Sequence, residues 1–235
     1  MRSADAKSAE TTPEVSDDRW ARHKANAKTI GGAILLAFFI RIVLFEAFEI
    51  DGPSMEPTLL DGDRVVVAKY MYGLFLPFTN EAILTWGTPT AGDVVIVHSP
   101  ADNIDIVKRV IGTLGDVLEM RDDVVYRNDE PLLVRIAGPC EYPVVYDECE
   151  WVEEHMGSHH WHTSRSSLNV PDSFERVTVP EGHIFVLGDH RDRSNDSRAP
   201  RVGMIPVSRV KGRALAIYWS SGGGIRWDRV FSGVD

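Results

Sequence analysis

A basic cluster followed by a long apolar run constrains this chain more than any other feature. Arg19, Arg22, Lys24 and Lys28 precede residues 29–40, which carry no charge; Arg41 interrupts, and residues 42–45 are apolar again. As a helix, residues 30–47 would extend about 27 Å, just enough to cross the hydrocarbon core of a bilayer. A charge at the bilayer centre costs about 2.5–3.5 kcal/mol. Arg41, however, stands near the distal end, where its stem can carry the guanidinium to the interface. A cleaved signal peptide does not fit, because no small-residue cleavage site follows the run. A buried core helix is the other reading, and Arg41 is its support. The run is read as one transmembrane helix over 29–49, after a polar, disordered segment 1–28. The basic flank of a span stays in the cytoplasm. Everything after residue 50 is therefore expected on the extracytoplasmic side of the cell membrane.

That exported part alternates short apolar runs with turn signals. Residues 64–69, 93–98, 104–111, 117–120, 124–127, 176–179, 183–187 and 210–219 read as strands. Asp61-Gly62-Asp63, Ala91-Gly92-Asp93, Gly115-Asp116 and Asn128-Asp129 punctuate them. The expected fold is mainly β, an antiparallel domain over 50–136 and 176–235. Residues 137–175 interrupt it with weak periodicity, both cysteines and a His-rich run, and read as an inserted subdomain or long loop.

The formal net charge of −10 and the pI near 5.3 argue against a nucleic-acid partner, which would need a basic face. Cys140 and Cys149 do not have the spacing of a zinc ribbon. In an oxidising compartment they fit one small disulfide loop; two buried free thiols are the alternative. The run from Glu153 to His162 holds four histidines, but no helix is evident to array them, so no metal and no cofactor is expected.

Three clusters are candidates for chemistry. In Gly52-Pro53-Ser54-Met55-Glu56-Pro57-Thr58-Leu59 two prolines stiffen a turn that presents one hydroxyl, which suits a nucleophile, although most serines in such turns bond locally. In Ile104-Asp105-Ile106-Val107-Lys108-Arg109-Val110-Ile111, alternation puts Lys108 on the face of Ile104, Ile106 and Val110. Burial there would disfavour its ammonium and leave a neutral amine, a usable general base; an edge strand whose lysine reaches water is the bland reading. In the third cluster, a hydrophobic strand ends in Gly188-Asp189-His190-Arg191-Asp192-Arg193-Ser194-Asn195-Asp196-Ser197-Arg198, a loop dense in short-range charge pairs.

Together with Gly92-Asp93-Val94-Val95, these segments resemble four signature boxes of the bacterial type I signal peptidases, in the family's order and after a matching anchor. The resemblance implies a mostly β serine protease with a Ser–Lys dyad. By match to the motif, Ser54 is the implied nucleophile and Lys108 the base. Ser194 is implied to bond and aim the lysine amine, Asp196 and Arg198 to form a supporting ion pair, Asp189 to lie nearby and Met55 to shape the site. The implied oxyanion hole is the Ser54 backbone N–H. Some members add a serine two residues before the nucleophile, where this chain has Gly52, which offers only its own N–H. His190 and Arg193 also stand where the family usually has Asn. The implied partners are precursor proteins bearing signal peptides, membrane lipids and the secretion translocon. Two rivals remain at this level. One is a membrane-tethered β-rich binding module without catalysis, supported by Gly52. The other is a self-cleaving repressor, for which residues 1–50 offer no DNA-binding domain.

Overall fold

The structure, a computed structural model, describes residues 16–75, 79–140, 149–166 and 172–234. Two compact units emerge, one up to Ile40 and one from Arg41 on. In the first, helix α1 spans Ser16–Phe39, where Ala25, Ala27, Leu35 and Leu36 are strong helix formers. Ile34, Leu35, Leu36, Phe38 and Phe39 are each more than half exposed. No helix among the described residues is long and apolar enough to cross a membrane. The expected 29–49 helix is corrected at both ends. Residues 16–28 are already helical rather than disordered. A π-helical stretch, Ile40–Leu44, follows α1, and Phe45–Glu49 is strand β1. The cause lies across the ladder: β1 pairs residue for residue with the next strand, where Glu49 meets Arg64, and Glu46 meets Lys69 just past that strand's end.

The other strands, in chain order, are β2 (Asp63–Ala68), β3 (Gly73–Leu74), β4 (Leu84–Thr85), β5 (Val94–His98), β6 (Asp105–Gly112), β7 (Val117–Arg121), β8 (Val124–Arg127), β9 (Glu130–Pro131), β10 (Leu133–Pro139), β11 (Cys149–Met156), β12 (His159–Ser166), β13 (Phe174–Thr178), β14 (His183–Leu187), β15 (Ile205–Pro206) and β16 (Val210–Ser220). The main sheet has the order β1-β2-β16-β5-β6-β14-β15, and β13-β7-β8-β9 forms a second. Every strand pair is antiparallel, so the mainly β reading holds.

Both faces of the central strands are covered. On one side Val94, Ile96 and Val107 pack with Met55, Leu59 and Val65. Val95, Val97 and Val110 pack with Val186 and Ile205 in a different cluster. All of β5 is buried, and β6 is buried from Val107 onward. A continuous buried run, rather than one apolar face, is the mark of a strand covered on both sides.

The insertion is a third sheet, β10-β11-β12, and it begins earlier than expected, at Leu133. Cys140, just past β10, and Cys149, at the start of β11, are joined in a disulfide. Within β11 and β12, Val152, Glu154, Trp161 and Thr163 are buried, whereas His160 and His162 are exposed. This mixed face explains the weak apolar periodicity of the segment. After β16 the chain returns along that strand, where the Phe231 N–H donates to Ile217 O (2.7 Å) and the Val234 N–H to Leu215 O (3.0 Å).

Candidate active site

The loop carrying Ser54 is closed at its base by two bonds that extend the β1–β2 ladder. The Ile50 N–H donates to Asp63 O (2.8 Å) and the Gly62 N–H to Ile50 O (3.0 Å). Within the loop, tight turns are set by the Glu56 N–H on Pro53 O (3.0 Å) and the Leu59 N–H on Met55 O (2.9 Å). Ile50, Met55 and Leu59 are buried in the core, so apolar anchors before and after Ser54 fix the turn that presents it. Met55 is thus a wall of the loop. Gly52 has φ +87°, a region that favours glycine. Its N–H donates to Asp61 Oδ1 (2.8 Å) and is committed there. The Ser54 N–H makes no hydrogen bond among the described residues.

Lys108, on β6, is 2% exposed. Its Nζ lies 2.8 Å from Ser54 Oγ and donates to Val107 O at 2.7 Å. Burial pushes the Lys108 ammonium down to about 8, against the opposing pull of the Asp196 and Asp189 carboxylates. The two expected reactive side chains are therefore in contact, though 54 residues apart in the chain.

The polar loop after β14 forms the other wall. Gly188 is buried beside both serines. A Cβ there would stand 2.2 Å from Ser194 Oγ and 2.4 Å from Ser54 O, closer than any real contact, so only glycine fits. Its N–H donates to Asp196 Oδ2 (3.0 Å). Arg198 grips Asp196 through Nε (2.9 Å) and Nη2 (2.9 Å), the expected ion pair. Burial opposes the Asp196 carboxylate, yet Arg198 and the Gly188 N–H hold its carboxyl below the ordinary value. The expected bond between Ser194 and the lysine amine is not made. Ser194 Oγ is buried and stands near the Asp196 carboxylate, which it helps keep ionised, while Lys108 uses Val107 O instead.

Asp189 is 1% exposed and takes a two-pronged bond from Arg109, Nε at 2.9 Å and Nη2 at 2.8 Å. Thr58 Oγ1 donates to the same carboxylate at 2.5 Å, tying the nucleophile loop to the polar loop. Arg109 also donates to Gly92 O (2.9 Å) and lies 4.8 Å over the Trp161 ring of β12. Its complete burial makes this a pair that must be matched on both sides. Sequence reasoning did not single out Arg109, Thr58 or Gly188. All three stood inside the quoted boxes, but nothing local signals a pairing across 80 residues. Among the described residues no group of three or more His, Cys, Asp or Glu side chains is placed to hold a metal ion.

Comparison with known proteins identifies the family. The family model described as "Signal peptidase, peptidase S26" matches residues 23–219. A signal peptidase I of Pseudomonas fluorescens is 33% identical over 207 residues, covering 82% of this chain and 71% of its own. One of Bacillus licheniformis is 32% identical over 192 residues, covering 82% and 86%. Signal peptidase I T of Bacillus subtilis is 30% identical over 210 residues, covering 87% and 92%. A solved signal peptidase I from Enterococcus faecalis aligns with 55% of this chain and 98% of its own at 28% identity and a TM-score of 0.34. With the family model matched over most of its length and relatives above 30% identity, this chain belongs to the signal peptidase family, peptidase S26, and is a serine peptidase.

Proposed function

We propose that this chain is a membrane-bound endopeptidase that removes signal peptides from exported precursor proteins at the outer face of the membrane, with Ser54 and Lys108 as its dyad. The observation that carries the reading is the 2.8 Å contact between Ser54 Oγ and a buried lysine whose ammonium burial pushes down to about 8. A neutral Lys108 accepts the Ser54 hydroxyl proton while Oγ attacks the scissile carbonyl. The tetrahedral oxyanion meets the uncommitted Ser54 N–H. Gly52 could add a second donor only by releasing Asp61. As the tetrahedral intermediate collapses and the scissile C–N bond breaks, the protonated amine passes its proton to the leaving nitrogen. It then takes a proton from the water that cleaves the acyl-enzyme, restoring the Ser54 hydroxyl. Asp196 and Arg198 hold the loop beside the dyad through the Gly188 N–H, and Asp189 ties that loop to Thr58. Ser194 stands beside Gly188 and the Asp196 carboxylate, in the loop that walls the dyad.

An extended substrate needs a free strand edge. Because β14 pairs with β6 only from Arg109 to Gly112, residues 105–108 are bonded to β5 alone. That open edge ends at Lys108 and suits strand addition by the precursor. The exposed apolar side chains of α1 from Ile34 to Phe39 support an anchoring role in lipid, close to where the translocon delivers precursors. A non-catalytic binding module would gain nothing from destabilising a lysine against a serine hydroxyl. The test is cleavage of a secreted precursor by the purified protein in detergent. Ser54→Ala and Lys108→Ala are each expected to abolish product, and full activity in either refutes the assignment.

A further inference from the structure

The inserted sheet reaches into the wall of the site. The Ser164 N–H on β12 donates to Asp189 O at 2.8 Å, and Ser164 forms a parallel bridge with His190. Glu154 on β11, 2% exposed, accepts a bond from the Arg191 guanidinium, itself 8% exposed. The same guanidinium donates through Nε to Gly188 O (3.3 Å). The polar loop is thus fastened to the insertion at 189 and at 191. On its other side the His190 N–H donates to Ser54 O (3.2 Å), the carbonyl of the nucleophile itself. Arg198 closes the circuit, donating to Arg191 O (2.6 Å) while it grips Asp196, which in turn holds the Gly188 N–H.

From this we infer that Glu154 is a positioning residue for the dyad. Through Arg191 it fixes the short segment 188–191, and that segment sets where the Ser54 backbone stands relative to Lys108. The inference rests on the proposed dyad. A buried carboxylate opposite a buried guanidinium is not needed for folding as such, because a well-packed apolar pair of similar volume serves stability as well or better. Its directional bonds do what apolar packing cannot, since they hold the Gly188 carbonyl and the loop backbone at one set of coordinates. Small misplacements of a reacting group cost rate disproportionately, about 10²-fold for 1 Å.

The test measures kcat and KM for precursor cleavage by the full chain in Glu154→Gln and in the double variant Glu154→Leu with Arg191→Met, beside Lys108→Ala. The Gln variant is expected to lose about 10²-fold in kcat with KM unchanged. The double variant leaves no unpaired charge at 154 or 191, so it is expected to fold and to melt near the wild-type temperature, yet to keep the kcat defect. A purely structural role predicts instead that the apolar pair restores both. Wild-type kcat in Glu154→Gln or in the folded double variant overturns the inference. If Lys108→Ala is inactive while Glu154→Gln cleaves normally, the positioning claim alone fails; if Lys108→Ala cleaves normally, the dyad itself fails.

Discussion

Replacing Lys108 with methionine should make the fold more stable at neutral pH while abolishing activity. The lysine sits 2% exposed, and its ammonium titrates near 8 rather than 10.5. At about 1.4 kcal/mol per pH unit, that gap is a penalty of about 3 kcal/mol on the folded state whenever the unfolded lysine is protonated and the pH lies below 8. The sign follows from the proton count. Between pH 8 and 10.5 the unfolded chain holds the proton that the folded chain has shed, so wild-type stability rises with pH across that window. Methionine removes the penalty but also the bonds to Ser54 Oγ and Val107 O, worth about 1 kcal/mol each. The variant should therefore gain about 1 kcal/mol at pH 7, about 2–4 °C in melting temperature for a chain of this size. Above pH 10.5 it should be the less stable by about 2 kcal/mol. Thermal melts of both proteins from pH 6 to 11 read this directly, and the two curves should cross between pH 8 and 10.5. A pH-independent offset, or a variant already less stable at pH 7, would refute the claim that position 108 buries a reluctant charge.

Gly188→Ala should cut kcat by about 10²-fold or more, since a Cβ would meet Ser194 Oγ at 2.2 Å and Ser54 O at 2.4 Å. Adding Ser194→Ala should not restore the rate, because the clash with the Ser54 carbonyl remains; steady-state cleavage of a precursor reads both. Gly52→Ser should lower the melting temperature and add no rate. The site has open space but φ +87°, and a side chain there carries about 1–2 kcal/mol of strain. Arg198→Met strands the Asp196 carboxylate in the interior and should cost about 3–5 kcal/mol at pH 7. Arg198 holds the Asp196 carboxyl below its ordinary value against burial. The wild type therefore loses this stabilisation as pH falls through the native Asp196 titration, and the variant's deficit in denaturant melts should shrink at acid pH.

Much of the sheet was readable because its strands are short, apolar and bounded by turn residues: 124–127 and 183–187 match β8 and β14. Phe45–Glu49 was misread as helix because its apolar residues continue the run before it. What makes it a strand is the valine-rich β2 beside it, a partner invisible to local periodicity. Similarly, β11 and β12 were hidden because one buried face holds Glu154 and Thr163 beside Val152 and Trp161. Alternation placed Lys108 on an apolar face, its burial open, and left Arg109 on the opposite one. The structure buries both, since Trp161 of the insertion covers Arg109. The contact of Ser54 with Lys108 followed from motif resemblance, whereas the ties of Arg109, Thr58 and Glu154 depend on segments that only the folded chain brings together.

The most direct measurement is the rate at which an acylating active-site inhibitor modifies Ser54 in the intact protein, followed against pH with the Lys108→Ala variant alongside. An amine titrating near 8 predicts a wild-type rate that climbs about tenfold from pH 7 to 9 and then levels, with no modification in the variant. A rate flat across that range, or modification of the variant at the wild-type rate, would contradict a neutral lysine as the base that activates Ser54.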